Sequence, residues 1–109
     1  MLKLFLKKDK RMKVNDDSSK ITRLNLIFEG KVQGVGFRYF VKKKADSLGI
    51  YGYVKNKKDG SVFVNAQGNK SAIERLTKLC QKATPNSKVK SMVKIQKPIE
   101  KIREFRIIF

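Results

Sequence analysis

Residues Gly30 to Gly36 read Gly-Lys-Val-Gln-Gly-Val-Gly, and Phe37 and Arg38 follow directly. Three of the 7 glycines in the protein lie in that window. Such a stretch fits anion binding. Glycines let the backbone turn until successive N–H groups converge, and a helix starting there adds partial positive charge. Arg38 would complete the cradle, because a planar guanidinium matches two phosphate oxygens. A cation in the first turn of a helix otherwise opposes the helix dipole, at a cost of about 0.3–1 kcal/mol, and a bound phosphate between them reverses that sign. The simpler alternative is a tight strand-to-helix turn beside an ordinary surface arginine. Other phosphate-binding motifs do not fit: there is no Gly-Lys-Ser/Thr, and Gly-x-Gly-x-x-Gly is not completed. Asn56 is a second polar residue of interest, but asparagine before a turn also serves its own backbone.

The elements that would position these residues are legible from periodicity. From Thr22, Leu24, Leu26 and Phe28 alternate with Arg23, Asn25 and Ile27, which predicts a strand. After the glycines, Phe37, Phe40, Val41, Ala45 and Leu48 recur at helical spacing, and Gly49 marks the stop. Two β-rich runs, Tyr51–Asn56 and Ser61–Gln67, flank Asn56-Lys57-Lys58-Asp59-Gly60 and predict a hairpin. Ser71 with Glu74 three residues later predicts a capping box, opening a helix with Ile73, Leu76, Leu79, Cys80 and Ala83 on its buried face. Pro85 ends it. Val89, Val93 and Ile95 predict a fourth strand with Met92, Lys94 and Gln96 on its opposite face, and Phe105, Ile107 and Phe109 a short last one. The order β-α-β-β-α-β predicts an α+β fold: a ferredoxin-like sandwich, an antiparallel sheet with two helices on one face and a short C-terminal strand.

Composition removes several chemistries. The 109 residues fit one domain, and histidine is absent, which excludes Ser-His and Cys-His nucleophile pairs, histidine metal sites and a histidine general base. The single cysteine, Cys80, cannot form an internal disulfide, which points to a reducing, cytoplasmic compartment. The formal charge of +18 attracts anions of any kind, or reflects a lysine-rich surface with no partner at all. Residues 1–20 read as a basic, flexible tail ahead of a domain over 21–109, or as a weak membrane or partner contact; Met12 offers an alternative start. The apolar patch Leu2, Leu4, Phe5 and Leu6 is shorter than a signal-peptide core of ~7–15 residues.

GKVQGVGFR (Gly30–Arg38) and GYVKNKKDGSV (Gly52–Val62) closely resemble the two signatures of the acylphosphatase family, and FRIIF (Phe105–Phe109) resembles its closing strand. The resemblance spans about Leu24 to Phe109. It implies a small ferredoxin-like enzyme that hydrolyses the carboxyl–phosphate bond of acyl phosphates to carboxylate and inorganic phosphate. It places the catalytic arginine at Arg38 and the catalytic asparagine at Asn56. The phosphate cradle falls on the backbone amides of Gln33, Gly34, Val35, Gly36, Phe37 and Arg38. It implies no metal and no organic cofactor. On this resemblance, phosphate is expected as product and competitor, with no obligatory protein partner and a monomeric state. Three positions depart from the family pattern. Tyr53 stands for a frequent tryptophan, Lys55 for arginine, and Thr84-Pro85 for Gly-Pro. None of them removes a catalytic group.

The absence of histidine is compatible with this chemistry. The leaving group is a carboxylate, a weak base that departs unprotonated. Phosphoryl transfer through a loose transition state rests on positioning and electrostatics. The rival expectation is a basic ferredoxin-like module that binds nucleic acid, or a non-catalytic interaction domain. RNA-binding members of that architecture carry several aromatics on the central strands, where this sequence offers Phe63, with Tyr51 and Tyr53 on a neighbouring strand.

Overall fold

The alternation over Thr22–Phe28 becomes β1 (Ile21–Lys31), and the remaining elements follow in the expected order. They are α1 (Phe37–Ser47), β2 (Tyr51–Asn56), β3 (Val62–Asn69), α2 (Lys70–Lys82), β4 (Lys88–Lys97) and β5 (Phe105–Ile108). This computed structural model describes residues 19–109; the tail expected over residues 1–20 lies, but for its last two residues, outside them. One five-stranded sheet has the order β4-β1-β3-β2-β5. Leu26 and Phe28 of β1, Val62, Val64 and Ala66 of β3, and Val54 of β2 point toward the helices and are fully buried. Phe37, Val41 and Ala45 of α1 and Ile73, Leu76 and Cys80 of α2 meet them there. Phe28 and Phe37 pack with ring centroids 5.3 Å apart. Burying each ring contributes about 1.5–3 kcal/mol, so the chain is pinned on both sides of the glycine-rich segment.

The expected hairpin forms, paired from Tyr51↔Gln67 to Asn56↔Val62. Its turn is closed by Lys57 N–H donating to Ser61 O (2.9 Å) and Gly60 N–H donating to Lys57 O (3.1 Å). The Asp59 carboxylate accepts from the Ser61 hydroxyl (2.6 Å) and N–H (3.0 Å). Those bonds from Ser61 hold Asp59 below its ordinary 3.8.

Two expectations need correction. The capping box of Ser71 and Glu74 does not form: α2 begins at Lys70, with Asn69 as cap and no side-chain cap bond. The reason is that β3 runs straight into α2. Pairing of Asn69 with Ile21 and the bond from Lys70 N–H to Lys20 O (2.9 Å) set the cap at Asn69, ahead of Ser71. In β4 the expected faces are reversed over part of the strand. A bulge between Glu29 and Gly30 shifts the β1–β4 register, so Val89 and Met92 both pack on the core. Val93 and Ile95, paired with Ile27 and Asn25, lie on the outer face and are 46% and 44% exposed. Gly30 therefore serves the bulge: a Cβ there would stand 2.1 Å from Lys88 O.

β5 joins β2 in parallel, at the sheet edge farthest from β4. Residues 98–104 cross between those edges and are tied down on the way. Arg23 binds Pro98 O and the Glu100 carboxylate (2.9 Å), while Gln67 exchanges two bonds with the Glu100 backbone (2.7 and 2.9 Å). This strap delivers Ile108 and Phe109 to the flank of α1.

Candidate active site

Between β1 and α1 the chain must reverse within a few residues. Gly34 (φ 72°) and Gly36 (φ 80°, ψ 14°) take the left-handed conformation that does so. A Cβ at either would meet nothing within 4 Å, so the glycines answer a demand of the backbone and not of space. Phe40 N–H donates to Gly36 O (3.1 Å), the first bond of the helix. The N–H groups of Phe37, Arg38 and Tyr39 thus have no intrahelical acceptor and carry the positive end of the helix dipole. No acidic residue occupies this first turn.

Arg38 leaves the second position of α1 half-buried. Its guanidinium carbon lies 5.0 Å from the ring centroid of Phe109, and Nη1 donates to Ile108 O at 3.4 Å. Among the described residues the ion pairs are Arg23–Glu100, Lys42–Asp46 and Arg106–Glu104, so Arg38 faces no carboxylate there.

Asn56 ends β2 and is the residue that hairpin pairing carries toward the glycine-rich segment. Val32, Gly34, Gly36, Phe37, Arg38, Tyr39 and Asn56 line a single cleft of about 210 Å³. The Asn56 Oδ1 is buried and has no hydrogen-bond partner among the described residues. A shallower cleft of about 460 Å³ adjoins it, walled by Lys55, Lys57, Lys58 and Asp59 and sharing Asn56. A third, of about 420 Å³ beside α2, takes in Lys20, Lys70 and Lys94 but neither Arg38 nor Asn56. The small cleft is lined by the start of α1, one arginine and one asparagine. A helix start with an arginine and a neutral carboxamide in one cleft suits a compact oxyanion.

The family model for acylphosphatase matches residues 24–107. The chain belongs to the acylphosphatase family. It is 40% identical to the acylphosphatase of Geobacillus thermodenitrificans over 88 residues, covering 80% of this chain and 94% of that one. It is 50% identical to that of Thermotoga petrophila over 62 residues, covering 57% and 69%. The crystal structure of the Bacillus subtilis acylphosphatase superposes with a TM-score of 0.79 at 35% identity, over 81% of this chain and 99% of that one.

Of the residues the sequence singled out in this acylphosphatase, Gly34, Gly36, Phe37, Arg38 and Asn56 line the cleft. The Val35 side chain packs against the core, which leaves the expectation for its backbone amide untouched. The Gln33 side chain turns away to the hairpin, where Nε2 donates to Lys57 O and Ser61 O. Sequence reasoning missed Val32 and Tyr39 in the cleft wall and the contact of Phe109 with Arg38. Tyr39 follows Arg38 in the chain, and that adjacency at the helix start was the one signal for it. Nothing in the pattern announces Phe109, which reaches Arg38 only through the strap.

Proposed function

We propose that this acylphosphatase cleaves its acyl phosphates by in-line attack of a water oriented by Asn56 on a phosphoryl group held by Arg38 and the amides of Gln33 to Arg38. The water oxygen forms the new bond to phosphorus as the bond from phosphorus to the acyl oxygen breaks. The carboxylate leaves with that electron pair and needs no proton. One proton of the water passes to a phosphoryl oxygen, so the chain supplies no general base. In the loose transition state charge gathers on the equatorial oxygens. There the fork of Arg38 and the amides at the start of α1 act most strongly.

The observation that carries this reading is the unpartnered Asn56 Oδ1 in the same cleft as Arg38. A carboxamide offers an acceptor for one water hydrogen and a donor beside it. Inorganic phosphate, the product, competes for the cradle. One chain supplies both Arg38 and Asn56, which supports a monomer as the working unit. Its one cysteine is a buried free thiol, in keeping with a reducing, cytoplasmic setting. No helix among the described residues is long and apolar enough to cross a membrane.

The test is hydrolysis of a simple acyl phosphate by the purified protein in the presence of a chelator, with inorganic phosphate added as competitor. Turnover that phosphate inhibits competitively is the expected result. Turnover indifferent to phosphate would contradict the cradle.

A further inference from the structure

The Gln33 side chain joins the two halves of the site. It leaves the segment that carries Gly34 and Gly36, and its Nε2 donates to Lys57 O at 2.7 Å and to Ser61 O at 2.8 Å. Those carbonyls belong to the two ends of the hairpin turn. Each also accepts a turn bond: Ser61 O from Lys57 N–H, and Lys57 O from Gly60 N–H. A primary amide has two hydrogens, and here two carbonyl oxygens take them. The same pair of acceptors sets the amide orientation, because a flipped oxygen would face two other oxygens.

Lys57 directly follows Asn56. The Lys57 carbonyl lies in the peptide linking Lys57 to Lys58, one unit beyond Asn56, so the bond to it restrains the turn at the point where Asn56 enters it, and a bond to Ser61 O restrains the start of the opposite strand. The glycine-rich segment is held to the core by Val32, Val35 and Phe37, and the Gln33 amide ties it directly to the hairpin turn. Without that tie, the distance between the phosphoryl site and Asn56 would depend on the sheet and the core packing.

We propose that Gln33 is a positioning residue for hydrolysis: its side-chain amide clamps the phosphate cradle to the Asn56 turn and so sets where the attacking water stands. The proposal rests on the reading that Asn56 orients that water. It assigns Gln33 no contact between its side chain and substrate, and it predicts a kinetic signature distinct from loss of the cradle. Misplacing a reactive partner by about 1 Å can cost roughly 100-fold in rate.

The experiment compares Gln33→Met, which keeps length and removes both donors, with Gln33→Glu, which keeps shape and puts acceptors against two carbonyls. The readouts are kcat for a simple acyl phosphate, the inhibition constant of inorganic phosphate, and thermal midpoint. The clamp predicts kcat down roughly 10- to 100-fold in Gln33→Met. Phosphate inhibition should shift by less than about threefold, and Gln33→Glu should be at least as impaired at neutral pH. Combining Gln33→Met with Asn56→Ala should add little to the loss from Asn56→Ala alone, because both act on one water. Unchanged kcat, equal losses of kcat and phosphate affinity, or fully multiplicative losses would each overturn the proposal. Wild-type turnover in Asn56→Ala would remove the reading beneath it; wild-type turnover in Gln33→Met beside a crippled Asn56→Ala would remove the clamp alone. If neither Gln33 variant folds, hydrogen exchange in the unmodified protein decides. Protected Gln33 side-chain amide protons support the clamp and free exchange refutes it.

Discussion

The guanidinium of Arg38 rests against the ring of Phe109, 5.0 Å from its centroid, while Nη1 reaches Ile108 O at 3.4 Å. The helix that carries Arg38 does not by itself decide where this long side chain points. The last strand does, and it arrives there because the strap ties the crossing chain to Arg23 and Gln67. Removing the ring in Phe109→Ala should free Arg38 and weaken inhibition by phosphate about 2- to 5-fold, the equivalent of about 0.5–1 kcal/mol of cation–π contact. Unchanged inhibition would show that the ring is idle.

Arg38→Lys keeps the charge and loses the fork. Both phosphate affinity and kcat should fall, with kcat/KM down roughly 100-fold, the scale of losing one preorganised donor at a developing oxyanion. Steady-state kinetics with phosphate as inhibitor checks this. A lysine variant with full activity would mean that charge alone suffices.

Much of this was legible in the sequence because each element carried its own period. The alternation of β1, the Asp-Gly turn of the hairpin and the helical spacing of α1 and α2 depend on neighbours along the chain, and they appear as expected. What failed depended on pairing. The β4 faces turn on one bulge opposite Gly30, and the start of α2 on the pairing of Asn69 with Ile21. For the site the same division holds. Glycine spacing announced the left-handed turn at Gly34 and Gly36, and Asn56 stood out only by resemblance. The bridge from Gln33 and the stacking of Phe109 arise between segments far apart in the chain.

Gly36→Ala places a Cβ on a left-handed residue in open space. The cost should be about 1–2 kcal/mol of backbone strain, seen as a lower urea midpoint with an unchanged slope. Phosphate inhibition should weaken in parallel, since a relaxed turn re-aims the amides. Retained stability and inhibition would contradict the role given to this conformation.

With a formal charge of +18, encounter with anionic substrates should be steered. Raising salt should lower kcat/KM more than kcat, because screening acts on approach and less on the closed complex. A non-coordinating salt series tests this, and a flat kcat/KM would exclude steering.

Cys80 is fully buried on α2, and burial pushes its thiol from 9.0 up to about 12. The folded protein therefore holds a proton that the unfolded chain gives up first. This contribution to stability is intact below about pH 9 and is lost as pH rises toward 12. Native protein should resist alkylation at pH 8 and react once unfolded. Denaturation midpoints for wild type and Cys80→Ala above pH 9 check the sign: the wild type should fall more steeply. Equal slopes would place the thiol in a more polar setting.

The central claim is a division of labour, in which Arg38 and the amides hold the phosphoryl group and Asn56 orients the water. The most direct measurement is Asn56→Ala, with kcat for a simple acyl phosphate and the inhibition constant of inorganic phosphate taken on the same preparation. The account predicts kcat down by roughly 100-fold or more, with phosphate inhibition near the wild-type value. Wild-type kcat, or a loss of phosphate inhibition as large as the loss of kcat, would contradict it.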